Sequence, residues 1–489
     1  MISSDLDKMF NPRSVAVIGA KQIDPKTPYL GMFGSLQQYG FKGRMYPINT
    51  KLTEVNGVKA YSDLSQLPEP VDLVIVSVPA PYVPEVLRDC AGTGNTRIHI
   101  FTAGFKETGE PRALALQKEI ETIALQHHLK VVGPNCMGIC VPEIRLGTWN
   151  NPVEKVGPVS FISQSGGHAQ DFSNYASKLG VGFCKIVSYG NALTLDSTNF
   201  LEYFAQDPKT RIIAMYLEGV ADSRKLFTLV REINKIKPVI ILKGGLTEAG
   251  KKAVASHTGS LAGQEQFWNA FFRQTGAIRA YSLEEMAHTT LAMLHLQPPR
   301  GRGVTVMGTG GGIVVAASDV CSRAGLELPP FSKTMQKALR KFVPEAGNMI
   351  KNPLDAQPII MEPEQLMPET LDMIYDAPDL NMVILSLHMD WIGPVATPRL
   401  TAAIKTLFPA HLKDKPFVVC WRQTRNDPEM EMVCRKMESE LLDAGIPVYR
   451  NFEHAADSLS RLSGYHEFLA KQKSFMAGSA ETSEMRLAS

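Results

Sequence analysis

The chain has 489 residues, of which 44% are apolar and 20% are charged, and its formal net charge is +2. This composition is typical of a globular protein of two to four domains and lacks the basic excess that marks nucleic-acid binding. No apolar run approaches the roughly 18 residues that cross a bilayer, and the first residues lack the basic and apolar regions of a signal peptide. We therefore expect a cytoplasmic globular protein.

Apolar, β-branched runs alternate with longer helical patterns, which predicts α/β units with parallel sheets. The first set of strands is predicted at Ser14–Ile18, Met45–Ile48, Asp72–Val76, Ile98–Phe101 and Lys130–Val132. A second set is predicted at Pro158–Ile162, Arg211–Leu217 and Pro238–Leu242. After a Pro/Gly-rich linker at 297–303, a third set is predicted at Val304–Met307, Met382–Leu385, Phe417–Cys420 and Pro447–Tyr449.

The first strand runs into Gly19-Ala20-Lys21, which is a possible phosphate-binding turn. The close Gly-x-Gly-x-x-Gly spacing of dinucleotide enzymes is absent. After the second strand, where a nicotinamide enzyme usually carries an acid, this chain has Lys51. A lysine suits a ribose phosphate, which coenzyme A and NADP-type ligands both carry. A tight strand-to-helix turn without a ligand also fits the pattern.

The seven cysteines form an odd set whose spacing fits no disulfide framework, so we expect reduced thiols. Cys136 and Cys140 are separated by three residues and have no second pair, so a metal site is not predicted. Cys136 lies in a turn, where a cysteine is more often a small packing residue than a reactive one.

Two polar motifs follow strands of the second set. Ser163-Gln164-Ser165-Gly166-Gly167 should open a helix whose N–H groups bind phosphate or an acyl phosphate, although a serine-capped helix without a ligand has the same pattern. Glu218 follows an apolar strand at the sheet edge where ligands gather. Its carboxylate could hold one imidazole nitrogen as N–H and leave the other nucleophilic, or it could bond to nearby backbone.

His257 lies among small residues, between Ser256 and Thr258, with glycines at 259 and 263. Such a segment presents an imidazole rather than packing it, which suits a nucleophile that must travel. Taken alone, the same pattern fits an exposed loop histidine without chemistry.

Seven motifs together are more specific than any one of them. In chain order they are Ser14–Ala20, Val78-Pro79-Ala80, Thr102-Ala103-Gly104-Phe105-Lys106-Glu107, Gly133–Gly138, Phe161–Gly166, Tyr216–Gly219 and Ser256–Gly259. This series closely resembles the α subunits of NDP-forming acyl-CoA synthetases, the ADP-forming acetate–CoA ligase group of the succinyl-CoA synthetase superfamily. The resemblance covers about residue 10 to about residue 465.

The resemblance implies a Rossmann-like CoA-binding domain over 1–150 and two flavodoxin-like ligase domains over 151–298 and 299–472. A mobile tail is expected over 473–489, where no periodic apolar pattern is present. By the same resemblance, CoA is held by Gly19, Ala20, Lys21, Lys51, Val78, Pro79, Thr102, Ala103, Gly104, Asn135 and Cys136. The phosphate and acyl phosphate belong at 163–167, and His257 is phosphorylated on a swinging loop with Glu218 beside it.

The resemblance also implies partners. The Mg-nucleotide is expected on an ATP-grasp β subunit, because the third α/β set fills the chain up to the tail, and an α2β2 heterotetramer is the expected assembly. The predicted reaction interconverts acyl-CoA, NDP and phosphate with carboxylate, CoA and NTP, without naming the acid.

Two departures from the family pattern affect the expected sites. The phosphate helix of the family usually reads Ser-Gln-Ser-Gly-Ala-Leu, whereas this chain continues after Gly166 with Gly167-His168-Ala169. The extra imidazole and the lost apolar bulk near the expected acyl site argue against simply assuming acetate. His168 could contact substrate or could bond to a neighbouring carbonyl. The third domain opens with Gly308-Thr309-Gly310-Gly311-Gly312-Ile313 and so lacks the family's proline there.

Other functions remain open on sequence alone. One is an enzyme that uses CoA or an acyl phosphate without a nucleotide. Another is a CoA-responsive scaffold protein with a retired site, and a third is an NADP-dependent oxidoreductase.

Overall fold

The computed structural model describes residues 4–24, 26, 30–252, 264–344, 348–411 and 414–487. The chain divides into two compact units, Met1–Ala287 and His288–Ser489. None of the helices in the described ranges combines the length and apolar character that a membrane crossing requires.

The first unit begins with a five-stranded parallel sheet. Its strands run in the order β2-β1-β5-β6-β7, and β3 and β4 form a separate hairpin. The bounds are β1 Ser14–Ile18, β2 Arg44–Ile48, β3 Glu54–Val55, β4 Val58–Lys59, β5 Leu73–Val76, β6 Arg97–Ile100 and β7 Lys130–Val132. β1 and β5 are buried at every position, as their continuous apolar sequence predicts.

A seven-stranded sheet follows in the same unit, in the order β14-β13-β12-β10-β11-β8-β9. The bounds are β8 Gly138–Val141, β9 Leu146–Gly147, β10 Val156–Ser163, β11 Phe183–Ser188, β12 Ile212–Leu217, β13 Val239–Lys243 and β14 Ile278–Ala280. β10 to β14 are parallel, whereas β8 pairs antiparallel with β11 and with β9. β8 and β9, which precede residue 150, therefore belong to the second sheet.

Helices cover both sheets of the first unit. They are α1 Ser4–Phe10, α2 Gly31–Tyr39, α3 Val83–Gly92, α4 Pro111–Gln126, α5 Gly166–Lys178, α6 Ser197–Gln206, α7 Ser223–Ile233, α8 Glu265–Thr275 and α9 Leu283–His295, within which the unit ends. Local sequence sets several of their starts: Asp196 and Asn199 form a capping box on α6, and Asp222 caps α7. One apolar cluster joins Phe33 and Ile75 of the first sheet region to Phe200 and Met215 of the second.

The second unit contains a six-stranded sheet in the order β16-β17-β15-β18-β19-β20. Its strands are β15 Val304–Gly308, β16 Met349–Ile350, β17 Leu354–Asp355, β18 Met382–His388, β19 Phe417–Arg422 and β20 Val448–Tyr449. Its helices are α10 Gly311–Arg323, α11 Lys333–Leu339, α12 Gln357–Met361, α13 Pro363–Asp376, α14 Met389–His411, α15 Pro428–Asp443 and α16 Phe452–Leu487. α14 is kinked at Gly393, whose φ is 75°.

The predicted tail differs from the structure. The sequence predicts no regular element after residue 472, but the backbone of α16 stays helical to Leu487. The stretch contains no proline and a single glycine, and it is rich in alanine, serine and glutamate. Backbone propensity is therefore enough to continue a helix whose apolar stripe has ended.

The predicted fold class, α/β with a Rossmann-like sheet followed by flavodoxin-like parallel sheets, is confirmed. The predicted domain boundaries at 150 and 298 stay predictions. Each sheet has the order 2-1-3-4-5 when its main parallel strands are numbered along the chain. Ligands of such sheets bind outside the carboxyl ends of the strands, at the point where the strand order reverses.

Candidate active site

The predicted CoA residues all follow strands of the first sheet at their carboxyl ends. Gly19 to Lys21 follow β1 and Lys51 follows β2. Val78 and Pro79 lie beyond β5, Thr102 to Gly104 beyond β6, and Asn135 and Cys136 beyond β7. The order reverses between β1 and β5, so this edge holds the crevice that the fold offers to a ligand.

Gly19 is required where β1 ends. Its φ is 83°, and a Cβ atom there would lie 2.4 Å from the main-chain oxygen of Ser77. The Asn49 side-chain amide donates to the Ala20 carbonyl over 2.8 Å, and its oxygen accepts from the Lys51 N–H over 2.8 Å. Lys21 and Lys51 are exposed, so their side chains are accessible to phosphate groups at this edge.

The loop after β6 is held by side-chain bonds to the backbone. Thr102 is buried and its hydroxyl donates to the Val78 carbonyl over 2.6 Å. Glu107 accepts from the Gly104 N–H over 2.6 Å, and hydrogen bonding lowers the pKa of this carboxyl despite its partial burial. Gly104 has a φ of 105°, and Ala103 is exposed. The loop therefore presents backbone to the crevice.

The loop after β7 reaches the second sheet. Gly190 packs so closely that a Cβ there would lie 2.3 Å from the carbonyl oxygens of Pro134 and Asn135. Asn135 has a φ of 59° and is partly exposed. Cys136 is 5% exposed, and burial raises the pKa of its thiol. Cys136 is thus a packing residue in a loop whose neighbour Asn135 faces outward.

The predicted phosphate motif forms the start of α5, as expected. Ser165 is the N-cap, and its hydroxyl accepts from the His168 N–H over 3.3 Å. The buried Ser163 hydroxyl donates to the Ser165 carbonyl over 2.6 Å, which fixes the turn. Gly167 has open space around its Cβ position, with only the Ser165 hydroxyl at 4.0 Å. The positive end of a 13-residue helix is therefore presented by small residues.

The loop after β7, which contains the predicted CoA residues Asn135 and Cys136, contacts the predicted phosphate motif at 163–167. A Cβ atom on Gly166 would lie 2.7 Å from Cγ of Met137, the residue that follows Cys136. The Met137 N–H donates to the Ser188 hydroxyl at the end of β11 over 3.3 Å. The two motifs therefore form one region of the first unit.

Gln164 joins the phosphate motif to Glu218. Its side-chain oxygen accepts from the N–H groups of both Glu218 and Gly219, each over 2.9 Å. These residues follow β10 and β12, the two strands between which the order of the second sheet reverses. Glu218 is 4% exposed, and its carboxylate accepts from the Tyr216 hydroxyl over 3.2 Å.

Tyr216 and His168 complete this cluster. Burial raises the pKa of the Tyr216 phenol, which keeps it a donor to Glu218. The His168 ring stacks on the Tyr216 ring with centroids 4.1 Å apart and planes inclined by 24°. His168 therefore packs against the residue that holds Glu218. Whether it also contacts substrate stays a prediction.

Lys243 is a site residue that the sequence reading missed. It ends β13, is 5% exposed, and donates to the Glu218 carbonyl over 2.8 Å and also to the Gly244 carbonyl. Its ammonium lies 5.3 Å from the centre of the Trp268 ring. A cation at the carboxyl end of an apolar strand, followed by two glycines, was the available signal. Tyr216 could have been found because residues two apart on a strand share a face.

His257 lies outside the described residues. The predicted carrier role of His257 therefore stays a prediction.

In the second unit, the glycine turn Gly308–Ile313 leads into α10. The Gly310 N–H donates to the Asp355 carboxylate over 2.8 Å, and a Cβ on Gly310 would lie 2.9 Å from the Trp391 ring. The turn is thus held by Asp355 at the end of β17, without the family's proline.

Three family models match this chain in succession. A CoA binding domain matches residues 13–142, a succinyl-CoA ligase like flavodoxin domain matches 156–293, and a ligase-CoA domain matches 304–454.

Named relatives agree with these models. The chain is 39% identical to the α subunit of ADP-forming acetate–CoA ligase II of Pyrococcus furiosus over 351 residues, which are 72% of this chain and 76% of the relative. It is 32% identical to ADP-forming acetate–CoA ligase I of Archaeoglobus fulgidus over 96% of this chain and 65% of that protein. A solved structure, the dinucleotide forming acetyl-coenzyme A synthetase 1 of Candidatus Korarchaeum cryptofilum with phosphate and ADP, superposes with a TM-score of 0.82 at 30% identity. That match covers 96% of this chain and 99% of that chain.

Proposed function

The chain belongs to the family of ADP-forming acetate–CoA ligases, and from that premise we propose that it converts an acyl-CoA and phosphate into an acyl phosphate and then a phosphohistidine. The observation that carries this proposal is the contact between Met137 and Gly166, together with the bonds from Gln164 to Glu218. These contacts support the proposal, because the loop after β7, residues 163–167 and the Glu218 carboxylate lie in one region of the first unit.

The crevice of the first sheet fits CoA rather than a nicotinamide dinucleotide. Gly19 lets the backbone turn closely at the end of β1, and Lys21 and Lys51 supply cations for the diphosphate and the 3′-phosphate. β2 is followed by Asn49, whose side chain is bonded within the turn, and not by an acid for a ribose. An acyl-CoA bound there would supply the thioester carbonyl. The residues of this chain orient it.

The proposed first step occurs at the start of α5. A phosphate oxygen attacks the thioester carbonyl, the C–S bond breaks, and CoA leaves as the thiolate, which then takes a proton. Backbone N–H groups at the helix start and the Ser165 region stabilise the negative charge on phosphate.

In the proposed second step, a nitrogen of His257 attacks the phosphorus of the acyl phosphate. The bond between phosphorus and the acyl oxygen breaks, and the carboxylate leaves. Glu218 would hold the other imidazole N–H and stabilise the positive charge that develops on the ring. The buried position of Glu218 and its bonds from Tyr216 support this role.

The nucleotide step is proposed to need a partner. We place the Mg-nucleotide on an ATP-grasp β subunit, in an α2β2 assembly, because the first relative is named an α subunit. A terminal phosphate oxygen of NDP would then take the phosphoryl group and regenerate free His257. The sequence leaves the acid and the choice between ADP and GDP open.

The test is labelling. The purified chain is incubated with radiolabelled inorganic phosphate and a panel of acetyl-CoA, butyryl-CoA and phenylacetyl-CoA. We expect an acid-labile, base-stable label on His257, absent in His257→Ala and retained in the matched control His127→Ala, since His127 is exposed on α4's C-terminal side. A label that persists in His257→Ala and maps to another residue overturns the relay.

A further inference from the structure

Lys243 is a buried lysine beside Glu218, and the proposed reaction steps assign it no role. Lys243 is 5% exposed, and within the described ranges the hydrogen bonds of its ammonium go to main-chain oxygens of Glu218 and Gly244. Burying an ammonium is costly unless its donors are satisfied. A neutral donor would satisfy two carbonyl oxygens at lower cost, so the charge itself requires a reason.

The register of the sheet explains how Lys243 reaches Glu218. β12 and β13 are parallel neighbours, and Leu217 is paired with Lys243. The Gly244 N–H also donates to the Leu217 carbonyl over 2.9 Å. The lysine at the end of β13 therefore lies directly beside the turn that carries Glu218.

The peptide between Glu218 and Gly219 is held from both sides. Its carbonyl oxygen accepts from Lys243 over 2.8 Å, and its N–H donates to Gln164 over 2.9 Å. The Glu218 carboxylate is held separately by Tyr216. Gln164 therefore holds the N–H side of this turn, Tyr216 holds the side chain, and Lys243 holds the carbonyl side.

The same ammonium reaches the next turn. Gly244 accepts from Lys243, and a Cβ atom on Gly244 would lie 2.7 Å from the Tyr216 hydroxyl oxygen. Gly245 follows with a φ of 75°. One cation therefore holds both the Glu218 turn and the start of the chain that leaves β13.

The surroundings of the Lys243 ammonium influence its pKa. Trp268 of α8 contributes its ring face at 5.3 Å, and Lys243 lines a cavity of 490 Å³ together with Gly219 and Trp268. Burial lowers the pKa of Lys243 to about 8, an effect that attraction to Glu218 partly offsets. Among the described residues, the titratable groups that face this cluster are Tyr216 on β12, Glu218 just beyond β12, and His168 on α5. The cavity walls on α7 and α8 include the uncharged Ser223 and Trp268.

We propose that Lys243 is a positioning residue for phosphoryl transfer, whose positive charge holds the Glu218 turn and the Gly244 turn in the arrangement that phosphorylation of His257 needs. This inference rests on the proposed function. It concerns how Glu218 is held and adds no bond-making step.

A second lysine beside β13 provides a matched control. Lys237 lies just before the amino end of β13 and donates to the carbonyl oxygens of Phe204 and Asp207 over 3.0 and 2.7 Å. Lys237 is partly buried, and like Lys243 it donates to two main-chain oxygens. Burial lowers its pKa as well. Lys237 lies at the amino ends of the strands, whereas Glu218 lies at their carboxyl ends. The Lys237→Met variant therefore measures the purely structural effect of losing such a lysine.

The experiment measures the rate of His257 labelling from phosphate and acetyl-CoA, or from whichever panel thioester labels fastest. Lys243→Met and Lys237→Met are compared at equal folded fractions, judged by circular dichroism and CoA titration. We expect Lys243→Met to lower the labelling rate at least about 10-fold with CoA affinity within about twofold, and Lys237→Met to leave the rate within about twofold.

The pH profile separates charge from shape. In the wild type the labelling rate should fall as the pH rises through about 8, because the ammonium of Lys243 loses its proton there. Lys243→Arg keeps the charge at this pH and should retain more of its own neutral-pH rate at pH 9 than the wild type does. The profile needs only the wild type, so it stands even if Lys243→Met does not fold.

The outcomes are distinct. A wild type that never labels His257 contradicts the proposed function. If the wild type is labelled, equal rates for Lys243→Met and wild type, equal losses in Lys243→Met and Lys237→Met, or a wild-type rate that does not fall between pH 7.5 and 9 would each overturn the role of Lys243.

Discussion

At the scale of single residues, Glu218 shows what sequence position can and cannot predict. An acid directly after an apolar strand was enough to predict Glu218 at the ligand edge of the sheet. Its supports come from elsewhere in the chain: Gln164 lies 54 residues away and Lys243 lies 25 residues away. Only the pairing of β10, β12 and β13 reveals these contacts, so motif reading identified the acid without the residues that hold it.

Glu218→Gln should keep the fold and lower the rate of His257 labelling about 100-fold, because a neutral amide stabilises an imidazolium-like charge poorly. Tyr216→Phe should lower it about 10-fold, since one hydrogen bond to a carboxylate is lost while the stacking with His168 remains. Rapid-quench labelling measures both rates. A Tyr216→Phe rate equal to that of the wild type would mean that Tyr216 does not orient Glu218.

His99 gives a pH-dependent stability. It is 1% exposed beneath the Cys136 loop, and burial lowers its pKa from 6.5 to about 4. The unfolded chain then binds more protons than the folded chain between these values, so this stability is complete above about pH 6.5 and is lost as the pH falls towards 4. When the pH is lowered from 7 to 4, the free energy of unfolding in urea should decrease by about 3 kcal/mol more for the wild type than for His99→Gln.

The exposed His127 provides the comparison for His99. His127→Gln should retain the full acid loss of the wild type, because the substitution is at an exposed position and leaves the buried His99 in place. Parallel pH curves for the wild type and His99→Gln would show that His99 is not the group responsible.

At the scale of elements, most strands of the parallel sheets were predictable because burial on both faces makes them continuous apolar runs. The parallel strands β11, β14 and β17 were not predicted, and neither were β8 and β9. The last two differ from the rest of their sheet. They are short, they pair antiparallel, and Gly138 and Gly147 interrupt their apolar pattern. A partner strand about 45 residues later in the chain, β11, is what makes Gly138–Val141 a strand.

The turn from β1 into the crevice can be tested with two glycines of nearly equal φ. Gly19 has a φ of 83° and would place a Cβ against Ser77, whereas Gly40 has a φ of 82° and open space around that position. Gly40→Ala should cost about 1 kcal/mol of unfolding free energy from backbone strain alone. Gly19→Ala should cost clearly more and weaken CoA binding in calorimetry. Equal effects of the two substitutions would remove the argument for a closely packed CoA turn.

At the scale of the whole molecule, the order of the motifs along the chain predicted the family and the succession of domains better than any motif predicted its own ligand. The three family models follow one another as the resemblance implied. The acid was not predictable, because the shape of an acyl site depends on side chains such as His168 and Tyr216 that meet only after folding.

The proposed division of labour between this chain and a nucleotide-binding partner predicts a half-reaction. The purified chain should release CoA from acyl-CoA and phosphate in an amount no greater than its own molar amount, because phosphorylated His257 has no acceptor. Adding an ATP-grasp β subunit with Mg-ADP should give continuous turnover and ATP. CoA release is followed with a thiol reagent and ATP with luciferase. Sustained ATP formation by the chain alone would contradict the need for a partner.

The pairing of β8 with β11 also bears on how such proteins can be rearranged in evolution. Exchange of the CoA-binding segment between related genes at residue 150 would pair β8 and β9 of one parent with β11 of the other, and a poor match would expose a strand edge that invites pairing with other chains. A crossover between Val132 and Gly138 would instead keep each sheet whole but divide the loop that contains Asn135 and Cys136. Neither junction is neutral, so the CoA-binding and ligase segments should be inherited together, and chimaeras that join them from distant relatives should fold only when β8, β9 and β11 come from the same parent.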